Sequence, residues 1–168
     1  MDKIVNKVAE SKLVTIDLED FYPSGNRISL DIKNWLFEGL ILREKDFREY
    51  LKNHNWQQYQ GAYVALYCGS DAIIPGWAYM LVTTYLTPFA KKTVVGTPEM
   101  LETILFSEII NQQDFSVYSQ LPVIVKGCSQ RVPQNAYTLL VQKLQPYAKS
   151  IMYGEACSTV PLHKKRSP

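Results

Sequence analysis

The chain reads as an α/β protein: a doubly wound, mainly parallel sheet of flavodoxin-like order. Three observations predict it. Short apolar runs alternate with helical stretches along the chain, the pattern of β-α-β units and parallel strands. One such unit occurs twice, at Tyr63–Gly96 and at Pro122–Gly154. With Pro75 set on Pro133 the two blocks run from there to Gly96 and Gly154 without a gap, and Pro75, Ala78, Tyr79, Leu81, Leu86, Pro88, Ala90, Lys91 and Gly96 meet identical residues. Finally, each copy carries a cysteine just after its first apolar run, Cys68 or Cys128.

The division expected is a single α/β domain over 1–168. Residues 1–61 form an N-terminal addition and 62–96 the first β-α-β repeat. A linking helix occupies 97–121, the second repeat 122–154 and a tail 155–168. The chain's 168 residues suffice to bury a core of ordinary size.

In order, residues 1–12 read as a loosely docked lead-in. Leu13 to Leu18 alternates apolar and polar side chains, as a half-buried strand does. Pro23-Ser24-Gly25-Asn26 is a turn cluster. Ile28, Leu30 and Ile32 alternate again, so 13–20 and 27–32 fit a hairpin. Asp31 also fits as the cap of a short helix, Ile32 to Glu38. The two readings stay open over 20–42. From Arg43 to His54, Phe47, Tyr50 and Leu51 recur at helical spacing.

Tyr63 to Tyr67 is apolar without alternation, which suits a strand covered on both faces. Pro75 opens a helix to about Leu86, where its missing N–H costs nothing. Thr93 to Val95 is the next strand. Thr97-Pro98-Glu99 starts a helix with a hydroxyl cap, a proline and an acid at the positive end of the dipole. In the second copy Val123 to Val125 is a strand, Pro133 opens a helix to about Leu144, and Ile151 to Tyr153 is the last strand. Trp35, Trp56 and Trp77 are expected in the core.

Right-handed crossovers allow one sheet with the two cysteine-bearing strands side by side at its centre. The gap between them is then the switch point at which such sheets hold ligands. Cys68 and Cys128 follow strands, and Cys157 follows the last one, so all three thiols fall on the carboxyl edge. Thiolates suit zinc, iron or an iron–sulfur cluster. Three of them need a fourth ligand or an open position. Asp71 and Glu155 stand on the same edge, His163 follows Cys157, and Asp17 joins if its strand is parallel. His54 ends a helix and belongs at the opposite edge. Two other readings compete. Cys68 or Cys128 could be the nucleophile of a thiol enzyme, near a helix N-terminus. The cysteines could equally pack as inert small hydrophobes in an interaction module.

Other classes are disfavoured. The net charge of +2 mixes both signs and names no nucleic-acid partner; the basic His163–Arg166 run reads as a frayed tail. No apolar run approaches a membrane span, and the first residues do not read as a signal peptide, so a reducing cytoplasm is expected. No glycine-rich phosphate loop occurs. Asp17, Glu19 and Asp20 read as a solvated strand edge.

Four strings, DIKNWLFEGLILREKDFR (31–48), CGSDAIIPGWAYM (68–80), KGCS (126–129) and KSIMYGEACSTVPL (149–162), resemble the bacterial family known as domain of unknown function 2480. The likeness covers nearly the whole chain. It implies a cytosolic bacterial protein without an assigned activity, associated with the sulfur-mobilisation proteins that assemble iron–sulfur clusters. That family's pattern has tyrosine near the position of His163, which puts His163 in doubt as a ligand.

Overall fold

In the computed structural model the described residues are 6–7, 12–127, 129–155 and 157–167. The strands are β1 (Asn6–Lys7), β2 (Val14–Asp17), β3 (Arg27–Asp31), β4 (Tyr63–Tyr67), β5 (Lys92–Val95), β6 (Pro122–Lys126), β7 (Ser150–Glu155) and β8 (Ser158–Lys164). The helices are α1 (Glu44–Asn53), α2 (Gly76–Leu86), α3 (Pro98–Asn111) and α4 (Gln134–Leu144). The chain divides into two compact units. One is continuous, Ser24–Ile104. The other is split, Met1–Pro23 with Leu105–Pro168.

The continuous unit is built on a three-stranded parallel sheet in the order β3-β4-β5. At its centre, β4 buries Val64, Ala65 and Leu66 in succession. An apolar run without alternation fits a strand whose two faces are both covered. Pro75, at φ −66°, precedes α2, whose Ala78, Val82 and Leu86 are fully buried. Phe47 and Leu51 of α1 join them in the core with Ile32, Trp35, Trp56 and Tyr59. Trp77 is the exception among the tryptophans: it is 37% exposed on α2.

The split unit is built on a five-stranded sheet in the order β1-β2-β6-β7-β8. Its three inner strands, β2, β6 and β7, are parallel, and the two edge strands are antiparallel. Val123, Ile124 and Val125 of the central β6 are buried in succession, as in β4. Val14, Ile16, Phe106, Leu140 and Leu144 lie in the core beside β6, with Phe115 and Tyr118 of a 3₁₀ turn. The last turns of α3 belong to this core. The first turn of α3 is capped as expected, with Met100 N–H donating to Thr97 Oγ1 at 3.1 Å.

Three expectations are corrected. The first is the single sheet. The strands preceding Cys68 and Cys128 are not neighbours: β4 and β6 are each central in a sheet of their own. The cause lies in the N-terminal residues. They supply a parallel partner to each central strand, β2 to β6 and β3 to β4, and so occupy the edge the other central strand was expected to take. The second is the hairpin of 13–20 with 27–32. Because β2 and β3 go to different sheets, they do not pair with each other. The helix over 32–38 shrinks to the 3₁₀ turn Lys33–Trp35, with Asp31 Oδ1 accepting from Lys33 N–H at 2.9 Å. The third is the tail. Ser158–Lys164 is not frayed but pairs antiparallel with β7. Pro161 hid this from a sequence reading, yet proline is tolerated on an edge strand, where no ladder bond is lost.

Candidate functional site

The strands β3 and β4 end together at Asp31 and Tyr67, which are register partners. Cys68 follows directly, so the thiol stands at the carboxyl end of the central strand. The next residue, Gly69, donates its N–H to Asp31 Oδ1 at 2.8 Å. A β-carbon at Gly69 would overlap the Asp31 carboxylate. Asp31 thus pins both its own 3₁₀ turn and the cysteine loop. Ser70 completes the frame: its hydroxyl donates to the Gly39 carbonyl at 2.6 Å and lies 3.3 Å from Cys68 Sγ. Cys68 is half-buried against the core. Tyr79, in the first turns of α2, faces the same group. Burial raises its pKa first, and the charges of Cys68 and Asp31 raise it further.

The split unit presents a second group at the carboxyl ends of β2 and β6. Asp17 and Lys126 are register partners, with Lys126 Nζ 3.3 Å from Asp17 Oδ2. The Lys126 pKa is raised, chiefly by its hydrogen bond and charge interaction with Asp17, then by Glu155 and Asp20. Ser129 Oγ donates to Glu19 Oε1 at 2.6 Å and accepts from Arg131 N–H at 3.1 Å. Gly127 has Tyr153 where a side chain would be. The rings of Tyr137 and Tyr153 meet edge to face, 6.4 Å apart.

The predicted residues fall as follows. Cys68 is in the first group described. Asp71 shares its loop but is exposed. Glu155 ends β7 near Lys126. Cys157 is exposed between β7 and β8. Cys128 lies outside the described residues. It is one position further from its strand than Cys68 is, because Gly127 intervenes after Lys126. Among the described residues no three of His, Cys, Asp and Glu group so as to hold a metal ion. His163, on β8, is opposite Ile151.

His54 follows α1 and bonds to the Tyr59 hydroxyl at 2.8 Å, packed edge to face on Trp35 and Trp56. Its pKa is lowered by burial.

Asp17 joins the carboxyl edge on the stated condition, since β2 runs parallel to β6, and Asp31 caps its turn; Tyr79 and Tyr137 stand out in the sequence only as identical residues of the repeat. One signal was present. Val14-Thr15-Ile16-Asp17-Leu18 and Ile28-Ser29-Leu30-Asp31-Ile32 share one pattern: apolar, hydroxyl, apolar, aspartate, apolar. Each is a strand that ends on an aspartate and passes into a 3₁₀ turn.

A groove of about 490 Å³ lies elsewhere on the continuous unit, lined by Glu44, Arg48, Trp77, Met80, Leu81 and Thr84. Its lining does not include Cys68. Among the described residues no helix is long and apolar enough to cross a membrane.

In comparisons with known proteins, a family model described as "Protein of unknown function (DUF2480)" matches residues 2–165, nearly the whole chain. No curated protein and no solved structure matches.

Proposed function

We propose, for a chain that belongs to the DUF2480 family, that Cys68 is a working thiol in a sulfur- or acyl-transfer step. The observation that carries this reading is the pinned loop. A carboxylate at the end of one strand fixes the residue next to a cysteine at the end of its neighbour. A cysteine serving only as filler needs no such device. The carboxyl ends of parallel strands are also where α/β sheets hold their ligands.

In the step envisaged, the Cys68 thiolate attacks the outer sulfur of a persulfide or the carbonyl carbon of a thioester. A new bond to Sγ forms, the donor's bond breaks, and the donor leaves as a thiolate. No net oxidation occurs, and the Cys68 proton goes to solvent beforehand. The thiolate is the nucleophile in such exchanges. Ser70 and Tyr79 are the hydroxyl groups placed to meet the transferred group.

Cys157 supplies an internal reference, since it is exposed in the same chain. Alkylation of the native protein, followed residue by residue by mass spectrometry, tests the reading. Cys68 should react faster than Cys157 despite its lower exposure. Modification of Cys68 only after unfolding would overturn the proposal.

Coordination of zinc, iron or an iron–sulfur cluster by Cys68, Cys128 and Cys157, with Asp71 or Glu155, is the weaker reading. Its support is the chemistry of thiolates and the family resemblance, which also suggests iron–sulfur assembly proteins as partners. Metal content of anaerobically purified protein, beside the triple Cys→Ser variant, separates the two readings. A reading as an interaction module with inert buried thiols fits Cys157 poorly, because that residue is exposed.

A further inference from the structure

The groove beside α2 has a reference inside the same chain. Trp77, Met80, Leu81 and Thr84 follow one another at i, i+3, i+4 and i+7, so they share one face of the helix. With Pro75 set on Pro133, the same positions of α4 are Asn135, Thr138, Leu139 and Gln142. Burial agrees position by position: Leu81 and Leu139 are half-buried, and the other three are exposed in both helices. The chemistry does not agree. Where α4 meets water with Asn135 and Thr138, α2 presents Trp77, 37% exposed, and Met80, 67% exposed. The inner faces are alike, Ala78, Val82 and Leu86 against Ala136, Leu140 and Leu144. Packing on the sheet therefore does not call for apolar residues on the outer face of α2. A helix that is apolar on both faces has a second surface to cover.

The other wall of the groove is α1. Its Glu44 and Arg48 stand one turn apart and bond at 3.0 Å, and the Arg48 guanidinium lies 5.8 Å from the Trp77 ring. Their side chains stay 62% and 50% exposed, so both have room for a further partner. An acid and a base one turn apart make a surface complementary to itself. Turned about a two-fold axis across the groove, it sets Glu44 against Arg48 of a second copy, and Arg48 against Glu44 of that copy. Two-fold interfaces have this reciprocity. Tryptophan, methionine and arginine are also residues that protein interfaces concentrate.

We infer that the groove between α1 and α2 is the two-fold interface of a homodimer. Trp77 and Met80 form its apolar centre, and Glu44 and Arg48 pair between copies at its rim. The inference is independent of any thiol chemistry at Cys68, which does not line the groove.

Sedimentation equilibrium of the full chain over a range of concentrations tests it. The wild-type protein should show a reversible monomer–dimer equilibrium. Trp77→Asn with Met80→Thr, which copies the outer face of α4, should weaken the dimer at least about thirty-fold. Trp77 also packs on Phe47, at 6.1 Å between rings, so Met80→Thr is tested alone as well. It should still weaken the dimer, and in dilute, dissociated protein it should unfold as wild type does. Glu44→Arg and Arg48→Glu should each dimerise about ten-fold more weakly, because each sets like charges across the axis. An equimolar mixture of those two variants should form a heterodimer at least as tight as the wild-type dimer, since every contact across the axis then joins opposite charges. A role within one copy would not produce that rescue. A wild-type protein that is monomeric at every concentration would overturn the inference and leave the groove to a different partner. So would a dimer undiminished by Met80→Thr, or a mixture of the two charge variants that associates no better than either alone.

Discussion

Gly69 and Asp31 are separated by 38 positions in the chain but joined by a 2.8 Å hydrogen bond, with the aspartate occupying the space of any side chain at Gly69. The pair is therefore sensitive from both sides. Asp31→Ala removes the acceptor of two backbone N–H groups, those of Lys33 and Gly69. It should cost about 1–3 kcal/mol. Asp31→Asn keeps a carbonyl acceptor and should cost less. Gly69→Ala should displace the Cys68 loop. Urea denaturation gives the stability changes, and the alkylation rate of Cys68 reports the loop.

Arg27 and Glu102 form a forked pair in the continuous unit, at 2.7 and 3.3 Å, with side chains only 19% and 13% exposed. A pair this sheltered is screened less by salt than a surface pair. Glu102→Gln should cost about 1–3 kcal/mol. Arg27→Lys should be destabilising too, since an ammonium cannot reproduce the two-pronged contact. Melting temperatures with and without added salt test both, and the wild-type pair should show little salt dependence.

His54 gives a pH dependence. Its folded pKa lies below the ordinary 6.5, because burial disfavours the imidazolium. Between the two values the unfolded chain binds more protons than the folded one. Stability is thus complete above about pH 6.5 and declines as the pH falls through the window below it. A histidine titration followed by NMR should place the His54 midpoint under 6.5. Denaturation midpoints at pH 7 and pH 5.5 should differ, and His54→Gln should reduce that difference.

Phe106 is fully buried in the core of the split unit. Phe106→Ala should cost about 3–5 kcal/mol, the usual range for emptying an aromatic site in a packed core. Met80→Ala, at an exposed position on α2, should change stability by less than about 0.5 kcal/mol. Chemical denaturation of the two variants side by side checks the contrast.

Much of the local structure was legible in the sequence. Pro75 and Pro133 mark the residues before α2 and α4, Thr97 caps α3, and the apolar runs at 63–67 and 123–125 lie in strands. Those signals act over one or two turns of chain, which is where proline geometry and side-chain caps exert their effect. Strand partnership has no such local code. Val14–Asp17 alternates equally well in a hairpin or a parallel ladder, and only the partner distinguishes them. The single-sheet expectation failed there. Around the candidate site, the cysteines were conspicuous because thiols are rare. Asp31 and Tyr79 were not, since an aspartate at a strand end and a tyrosine in a helix are common until a contact gives them a task. Trp77 shows the reverse: its apolar bulk predicts a core position, and it lies at a groove.

The chain order of the two units bears on how the protein is made. Strand β2 is synthesised early, yet its partner β6 comes only after the whole continuous unit, and Glu19 waits for Ser129, 110 residues on. A nascent chain emerging from the ribosome has every strand of the three-stranded sheet before it has the centre of the other. Closing the split unit therefore carries the larger loop-closure entropy and the higher contact order, the features that slow folding. Until β6 appears, the edge of β2 that faces away from β1 has no partner strand. Chaperone binding during synthesis should concentrate on that stretch, and a circular permutant that begins at Ser24, and so places β2 after β8 in the chain, should fold faster than the natural order.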